Sequence, residues 1–160
     1  MAFGETAAAP HIQQARGRVL LVDDEPELRR TFKRALTRTG FEVVEAANGR
    51  LALQLLTQHD FEAVVSDVRM PDMDGLELLQ RLLVVAPTVP VVLMSGSCGV
   101  VSAIELRDSG AFAFLDKPVQ LDHLRGTAAA AIETHRERLR DEETNVRHSG
   151  VQRVWRRFGP

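Results

Sequence analysis

Five polar residues stand at the ends of short apolar runs in this chain, and their types suit phosphate chemistry. They are the acids Asp23, Asp24 and Asp67, the hydroxyl residue Ser95 and the ammonium residue Lys117. Three carboxylates that converge repel one another and raise one another's pKa values unless a cation lies among them. Oxygen ligands without a neighbouring histidine or cysteine suit Mg²⁺, which is commonly held by one or two carboxylates together with phosphate oxygens. The residue types therefore predict a magnesium site for phosphate chemistry.

A carboxylate can also be the nucleophile of phosphoryl transfer, if a metal ion and a lysine neutralise the charge that develops. Asp67 is the favoured nucleophile, because it follows the third of the five apolar runs and stands alone there. The chain holds 18 Arg but only two Lys, Lys33 and Lys117. A compact ammonium group at position 117 suits a movable counter-charge to a carboxylate or a phosphoryl group.

Each of these residues also has an ordinary interpretation. Asp23 and Asp24 could simply cap the first helix, where the helix dipole favours negative charge. Asp67 and Ser95 could be turn residues. The occurrence of all of them at strand ends favours a site.

The apolar runs predict strands at residues 19–22, 41–46, 61–66, 89–94 and 111–115, and a helical pattern follows each of them. Pro26 suits the first turn of the first helix, and Asn48 and Asp74 can cap the second and third helices. The fourth helix, around residues 100–104, has the weakest pattern. The fifth begins near Leu121, and the pattern does not place its end.

Strands that alternate with helices predict an α/β fold in which helices cover both faces of a parallel sheet. Five βα units are too few for a closed barrel. They predict a five-stranded parallel sheet of the flavodoxin-like, doubly wound (βα)5 type, with strand order 2-1-3-4-5. Ligands of such sheets bind beyond the carboxyl ends of the strands, where the five polar residues stand.

Four stretches closely resemble the receiver domains of bacterial two-component response regulators. They are Val22-Asp23-Asp24-Glu25-Pro26, the stretch from Ser66 to Gly75, Met94-Ser95-Gly96 and Asp116-Lys117-Pro118. The resemblance covers residues 18 to about 134. It implies a phosphorylation-dependent signalling switch that accepts a phosphoryl group from a sensor histidine kinase or a histidine phosphotransfer protein. Its own chemistry would be limited to self-phosphorylation from a phosphodonor and auto-dephosphorylation.

The resemblance also implies the roles of the site residues. Asp67 would be the phosphoacceptor. Mg²⁺ would be bound by Asp23, Asp24 and Asp67 and by the backbone carbonyl of Arg69. Lys117 would contact the phosphoryl group.

Further residues would relay or tune the signal. Ser95 would be the switch hydroxyl, and Phe114 would be the aromatic residue that moves inward with it. Arg69 and Ser97 stand at positions that tune phosphate lifetime in the family. The family's Lys-Pro bond, here Lys117-Pro118, is often cis. The output surface would be the face of the fourth helix, the fifth strand and the fifth helix, which would contact a downstream protein or a second copy of the chain.

An enzyme of aspartyl-phosphate chemistry, such as a haloacid-dehalogenase-like phosphatase, is the alternative. That class usually has its nucleophile at the end of the first strand, with a second Asp two residues later. In this chain the acids after the first strand, Asp23 and Asp24, are adjacent, and the candidate nucleophile Asp67 follows the third strand.

Composition limits the remaining classes. The formal net charge is −2, so nucleic acid is not an expected partner. A single cysteine, Cys98, excludes an internal disulfide, and we expect a cytoplasmic protein without membrane association. His59, His123 and His135 lack metal-ligand spacing and are expected to be solvated.

Charge divides the chain unevenly. Residues 1–134 hold 13 basic and 18 acidic side chains, a net of −5, whereas residues 135–160 hold 7 and 4, a net of +3. We expect a flexible leader at 1–17, a receiver at 18–134 and a basic extension at 135–160. The extension could be a tail or the cut end of a longer protein, a segment that docks on a protein, or an arm that contacts nucleic acid.

Overall fold

The computed structural model describes residues 16–96 and 108–158, with side chains as far as residue 146. Within these ranges we number the elements in chain order. They are β1 (Arg18–Val22), α1 (Pro26–Arg38), β2 (Glu42–Ala46), α2 (Gly49–Gln58), β3 (Ala63–Asp67), α3 (Gly75–Val85), β4 (Val91–Gly96), β5 (Ala113–Lys117) and α4 (Leu121–Phe158). The fourth predicted helix lies outside the described residues, so the fifth predicted helix is α4.

The sheet confirms the predicted fold. Its five strands are parallel and follow the order β2-β1-β3-β4-β5. Three strands begin two residues later than predicted, at Ala63, Val91 and Ala113. For β4 the reason is Pro90, which has no N–H to donate to a neighbouring strand. At their other ends β3 and β5 continue to Asp67 and Lys117, so both side chains are part of the sheet edge.

Alternation along the strands divides the core between the two faces of the sheet. Val19 and Leu21 of β1 belong to a buried cluster with residues of α1 and α4. Leu20 and Val22 belong to a second cluster with residues of α2 and α3. Since β1 is buried on both faces, packing fixes the position of its carboxyl end, from which Asp23 follows.

The helix starts decide between two interpretations of the first acidic pair. Asn48 and Asp74 cap α2 and α3 as predicted, because their side chains accept hydrogen bonds from the N–H groups of Leu51 and Glu77. The N-cap of α1 is Glu25, and its side chain makes no capping bond. Asp23 and Asp24 are therefore not the N-cap residue of the first helix.

Helix α4 is 38 residues long, about 57 Å at 1.5 Å per residue, and it crosses the predicted boundary at residue 134. The expectation that His135 is solvated is wrong. Its side chain is buried, and its Nδ1 lies 2.9 Å from the carbonyl oxygen of Thr88. The contact joins α4 to the loop before β4, which periodicity along the helix cannot reveal. His59 and His123 are exposed as expected.

A second set of contacts holds the same turn of α4 against Glu62 and the backbone of Arg16. The guanidinium of Arg136 donates to Glu62 at 2.7 Å and to the carbonyl oxygen of Arg16 at 2.9 Å. The carboxylate of Glu62 raises the pKa of Arg136, which keeps the guanidinium charged.

Among the helices that the structure describes, none combines the length and hydropathy that a bilayer crossing requires.

Candidate functional site

Parallel strands bring the predicted residues to one edge of the sheet. Asp23 follows the last residue of β1, while Asp67 and Lys117 are the last residues of β3 and β5. Parallel pairing aligns all carboxyl ends on the same side. One carboxylate oxygen from each of Asp23, Asp24 and Asp67 lies within 4.8 Å of the other two.

Lys117 lies between two of these acids. Its Nζ is 3.2 Å from Asp67 Oδ2 and 3.5 Å from Asp23 Oδ2. The lysine side chain is 18% exposed, whereas those of Asp23 and Asp67 are 0% and 7% exposed. One cation thus partly neutralises two buried carboxylates, and a net negative charge remains in the cluster.

Burial makes the charged form of Asp23 electrostatically costly. Desolvation raises its pKa above the ordinary value, and the nearby carboxylates of Asp67 and Asp24 raise it further. A hydrogen bond from the N–H of Glu25 and the charge of Lys117 act in the opposite direction. Desolvation is the largest effect, so the site favours any additional cation at this carboxylate.

The unsatisfied atom of Asp23 fits a divalent cation. Its Oδ1 accepts the N–H of Glu25 at 2.8 Å, but within the described ranges its buried Oδ2 accepts no hydrogen bond. The ion pair with Lys117, at 3.5 Å, is too long to replace one. A buried carboxylate oxygen beside two further carboxylates is the all-oxygen environment that Mg²⁺ prefers. The donor set therefore fits the predicted metal.

The loop after β3 approaches Asp67 closely, and this depends on Gly75. The N–H of Gly75 donates to the carbonyl oxygen of Val68 at 2.8 Å. A Cβ atom at position 75 would collide with the backbone carbonyl of Asp67. Gly75 thus allows the start of α3 to lie directly against the candidate phosphoacceptor.

Arg69 follows Asp67 on this loop. Its N–H faces Asp67 Oδ1 at 3.4 Å, and its side chain is exposed. Arg69 is thus an exposed cation two residues beyond the candidate phosphoacceptor. The predicted ligation of Mg²⁺ by the Arg69 carbonyl stays a prediction.

Ser95 lies on β4 and Phe114 on β5, the two strands that follow β3 across the sheet. Ser95 stands one residue beyond Met94, which pairs with Asp67, and its hydroxyl donates to the carbonyl oxygen of Gly96 at 3.2 Å. Phe114 is partly buried against the cluster that contains Leu93. The Lys117-Pro118 bond is cis, as the resemblance implied. Ser97 lies outside the described residues.

Two residues near the site were not anticipated from the sequence. Arg29 of α1 donates from Nη1 to the backbone carbonyl oxygen of Asp23 at 2.7 Å. Its Nε lies 3.4 Å from Glu45 of β2. Charged residues on a predicted amphipathic helix and on an edge strand have many ordinary explanations, so no signal in the sequence marks this pair.

Comparison with known proteins gives the family. A model of the response regulator receiver domain matches residues 19–129. The chain is 36% identical over 131 residues to regulatory protein AtoC of Escherichia coli strain K12, which is 82% of this chain and 27% of that protein. It is 34% identical over 122 residues to the DNA-binding transcriptional regulator NtrC of Proteus hauseri, which is 76% of this chain and 26% of that protein.

Solved structures agree with this match. The receiver domain of the Francisella response regulator 1452 superposes with a TM-score of 0.68 and 27% identity, over 73% of this chain and 97% of that domain. The chain spans about a quarter of the length of its curated relatives. Because one relative is named as DNA-binding, the expectation that nucleic acid is an unlikely partner is not confirmed. From its sequence match and its sheet order, the chain belongs to the receiver-domain family of two-component response regulators.

Proposed function

We propose that this chain is a signalling switch in which Asp67 accepts a phosphoryl group from the phosphohistidine of a sensor kinase or a phosphotransfer protein. The observation that carries the proposal is the position of Lys117 Nζ, at 3.2 Å from Asp67 and 3.5 Å from Asp23. Family membership supports phosphorylation-dependent signalling, and this arrangement supports the choice of residue.

In the proposed transfer, a carboxylate oxygen of Asp67 forms a bond to phosphorus as the bond from phosphorus to the donor imidazole breaks. The imidazole nitrogen takes a proton from solvent, and Asp67 becomes an acyl phosphate. Positioning and charge neutralisation supply most of the catalysis in such transfers. In this proposal Lys117 moves its ammonium group from the carboxylate towards the new phosphoryl oxygens.

Magnesium belongs to the same proposal. Asp23, Asp24 and Asp67 would hold it together with the backbone carbonyl of Arg69. When bound, the metal ion supplies positive charge that stabilises the phosphoryl oxygens. The buried Oδ2 of Asp23 supports this assignment, because it needs a partner that the described residues do not supply in full.

Relay of the signal is proposed through Ser95 and Phe114. Phosphorylation shifts a population of states only through contacts that differ between them. The Ser95 hydroxyl now donates to a neighbouring carbonyl, and it would exchange this weak bond for a phosphoryl oxygen. Phe114 would then move inward, into the space that the Ser95 side chain has left. Arg69 and Ser97 are proposed to tune how long the phosphoryl group persists.

The output is proposed to use β5, α4 and the predicted helix before β5, which lies outside the described residues. A downstream protein or a second copy would bind there. The proposed domain organisation of the chain is a leader at 1–17, a receiver at 18–134 and a basic extension at 135–160. Cytoplasmic action is also proposed, since the single cysteine suits a reducing compartment.

Intact-mass spectrometry after incubation with acetyl phosphate tests the proposal. We expect one phosphoryl group per chain in Mg²⁺, none in EDTA, and none in Asp67→Asn. Asp72→Asn is the matched control, because Asp72 is an exposed acid of the same loop that lies outside the carboxylate cluster. It should be labelled like the wild type.

Three results would contradict the proposal. Labelling that survives in Asp67→Asn would place the phosphoacceptor elsewhere. Equal labelling in EDTA would show that phosphorylation does not require Mg²⁺. Continuous release of phosphate from small phosphate esters would favour the phosphatase class instead.

A further inference from the structure

The backbone and side chain of Asp23 are held by hydrogen bonds from three different parts of the fold. Its N–H donates to the carbonyl oxygen of Ala46 at the end of β2, at 3.2 Å. Its Oδ1 accepts the N–H of Glu25 at 2.8 Å. Its carbonyl oxygen accepts Nη1 of Arg29 at 2.7 Å. Among the residues described, the one polar atom of Asp23 without a hydrogen bond is Oδ2, which faces Lys117.

The bond from Arg29 affects both acids of the pair. The carbonyl of Asp23 belongs to the peptide group that joins it to Asp24, and this group is planar. The bond to the Asp23 carbonyl therefore fixes the orientation of the Asp23–Asp24 peptide plane, which also contains the N–H of Asp24. Without the guanidinium, this peptide plane is less restrained, and its rotation changes ψ of Asp23 and φ of Asp24, the backbone that carries both carboxylates.

Arg29 is itself oriented by β2. Glu45 places Oε1 at 3.4 Å from Nε of Arg29 and Oε2 at 2.6 Å from Nζ of Lys33. Glu45 pairs in register with Leu21, so it is anchored beside the strand that leads to Asp23. The side chain of Arg29 is 19% exposed, which limits competition from water. Glu45, Arg29 and the Asp23 carbonyl form a continuous chain of polar contacts that ends at the candidate metal site.

We propose that Arg29 is a positioning residue for divalent-cation binding and that Glu45 orients it. This inference rests on the magnesium site of the proposed function. Arg29 touches neither the metal ion nor the phosphoryl group. It holds the backbone of Asp23 and Asp24 so that their carboxylates are preorganised before the cation binds.

The sign of the effect separates positioning from electrostatics. Arg29 is a positive charge near a site for a positive ion, so removal of its charge alone would tighten Mg²⁺ binding. Loss of positioning weakens binding, because the carboxylates must then be ordered when the ion binds. The two roles predict opposite changes in the dissociation constant.

The experiment measures Mg²⁺ binding by isothermal titration calorimetry, without phosphodonor. We expect Arg29→Gln to weaken binding on the order of tenfold, as observed when residues behind metal ligands are removed. Arg30→Gln is the matched control, since it removes the same charge from the next residue of α1, where the side chain is 75% exposed. It should bind like the wild type. Glu45→Gln should weaken binding less than Arg29→Gln, and Arg29→Lys should restore part of the loss.

A second measurement tests the order of the loop directly. Hydrogen exchange at the amides of residues 23–25 in EDTA should be faster in Arg29→Gln than in Arg30→Gln. At saturating Mg²⁺ the phosphorylated fraction of Arg29→Gln should return to that of the wild type, since the reacting groups are intact.

The outcomes distinguish the two claims. If the wild type binds no Mg²⁺, both the proposed metal site and the positioning role of Arg29 are contradicted. A wild type that binds Mg²⁺ while Arg29→Gln matches Arg30→Gln, or binds more tightly, would overturn only the role of Arg29. If Arg29→Gln does not fold, Arg29→Lys and Glu45→Gln decide, and wild-type affinity in both would overturn it.

Discussion

Lys117 reaches past a whole strand to Asp67, with 3.2 Å between Nζ and Oδ2. The two residues end β5 and β3, and β4 lies between these strands. Neighbouring strands are about 4.8 Å apart, so the two backbones stand roughly 10 Å apart. A long side chain with its charge at the tip can cross this distance. The contact ties the far strand of the sheet to the candidate phosphoacceptor.

Lys117→Met should destabilise the protein in EDTA by about 3 kcal/mol, because it leaves two buried carboxylates without their shared cation. Chemical denaturation at neutral pH measures the free energy of unfolding. Arg81→Met is the control, since its pair with Glu77 is exposed and is expected to contribute about 0.5 kcal/mol or less. A loss for Lys117→Met no larger than for Arg81→Met would contradict the shared-cation role.

Asp23→Asn should raise the free energy of unfolding in EDTA at neutral pH, because burial makes the charged form of this carboxyl costly. The folded state binds the proton more tightly than the unfolded state. Stability therefore falls as the pH rises from the ordinary pKa of 3.8 towards the raised one, and it is restored as the pH falls back.

Denaturation of the wild type and Asp23→Asn across this pH range measures the effect. The difference between them should grow with pH in EDTA and reverse at neutral pH in Mg²⁺, which binds the wild type more tightly. A difference that does not change with pH would show that this carboxyl has no raised pKa.

Gly75→Ala should cost several kcal/mol and distort the loop after β3, because the new methyl group meets the Asp67 backbone rather than a flexible side chain. Thermal unfolding and acetyl phosphate labelling together measure both effects. Gly126→Ala is the control, since among the described residues, apart from its chain neighbours and the adjacent backbone of α4, no atom lies within 4 Å of its Cβ position. It should stabilise the protein by about 0.5–1 kcal/mol. Equal stability of the two variants would disprove the close approach.

The pair of Glu62 and Arg136 should hold the middle of α4 against the body of the domain. A double-mutant cycle with Glu62→Gln and Arg136→Gln should give a coupling of about 1 kcal/mol, reduced by partial exposure of both side chains. The same cycle for Asp122 and Arg125, which are three residues apart on α4 with Asp122 95% exposed, should give less than about 0.5 kcal/mol.

Hydrogen exchange provides the structural measurement for this pair. Amides of residues 135–146 should exchange faster in Glu62→Gln than in Asp122→Asn. Unchanged protection of that segment would mean that other contacts, such as that of His135 with Thr88, hold α4 without the ion pair.

Local pattern was sufficient for the succession of strands and helices along the chain and for the positions of Asp67 and Lys117, because alternation of apolar and polar segments is a property of neighbouring residues. The spatial order of the strands was predicted from the doubly wound fold type that five βα units favour. It also placed Asn48 and Asp74 at helix starts, since capping needs only the next three residues. Three of the five strand starts were missed by two residues, because pairing with a neighbouring strand decides where a ladder begins.

The sequence by itself determined which side chains stand at the carboxyl edge of the sheet and what chemistry their types allow. Only the tertiary structure decided which atom remains unsatisfied, as for Asp23 Oδ2, and which distant residue holds the acidic pair, as for Arg29. It also decided that His135 is buried rather than solvated. The physical reason is that burial and hydrogen bonding depend on elements far apart along the chain, whose approach no local period records.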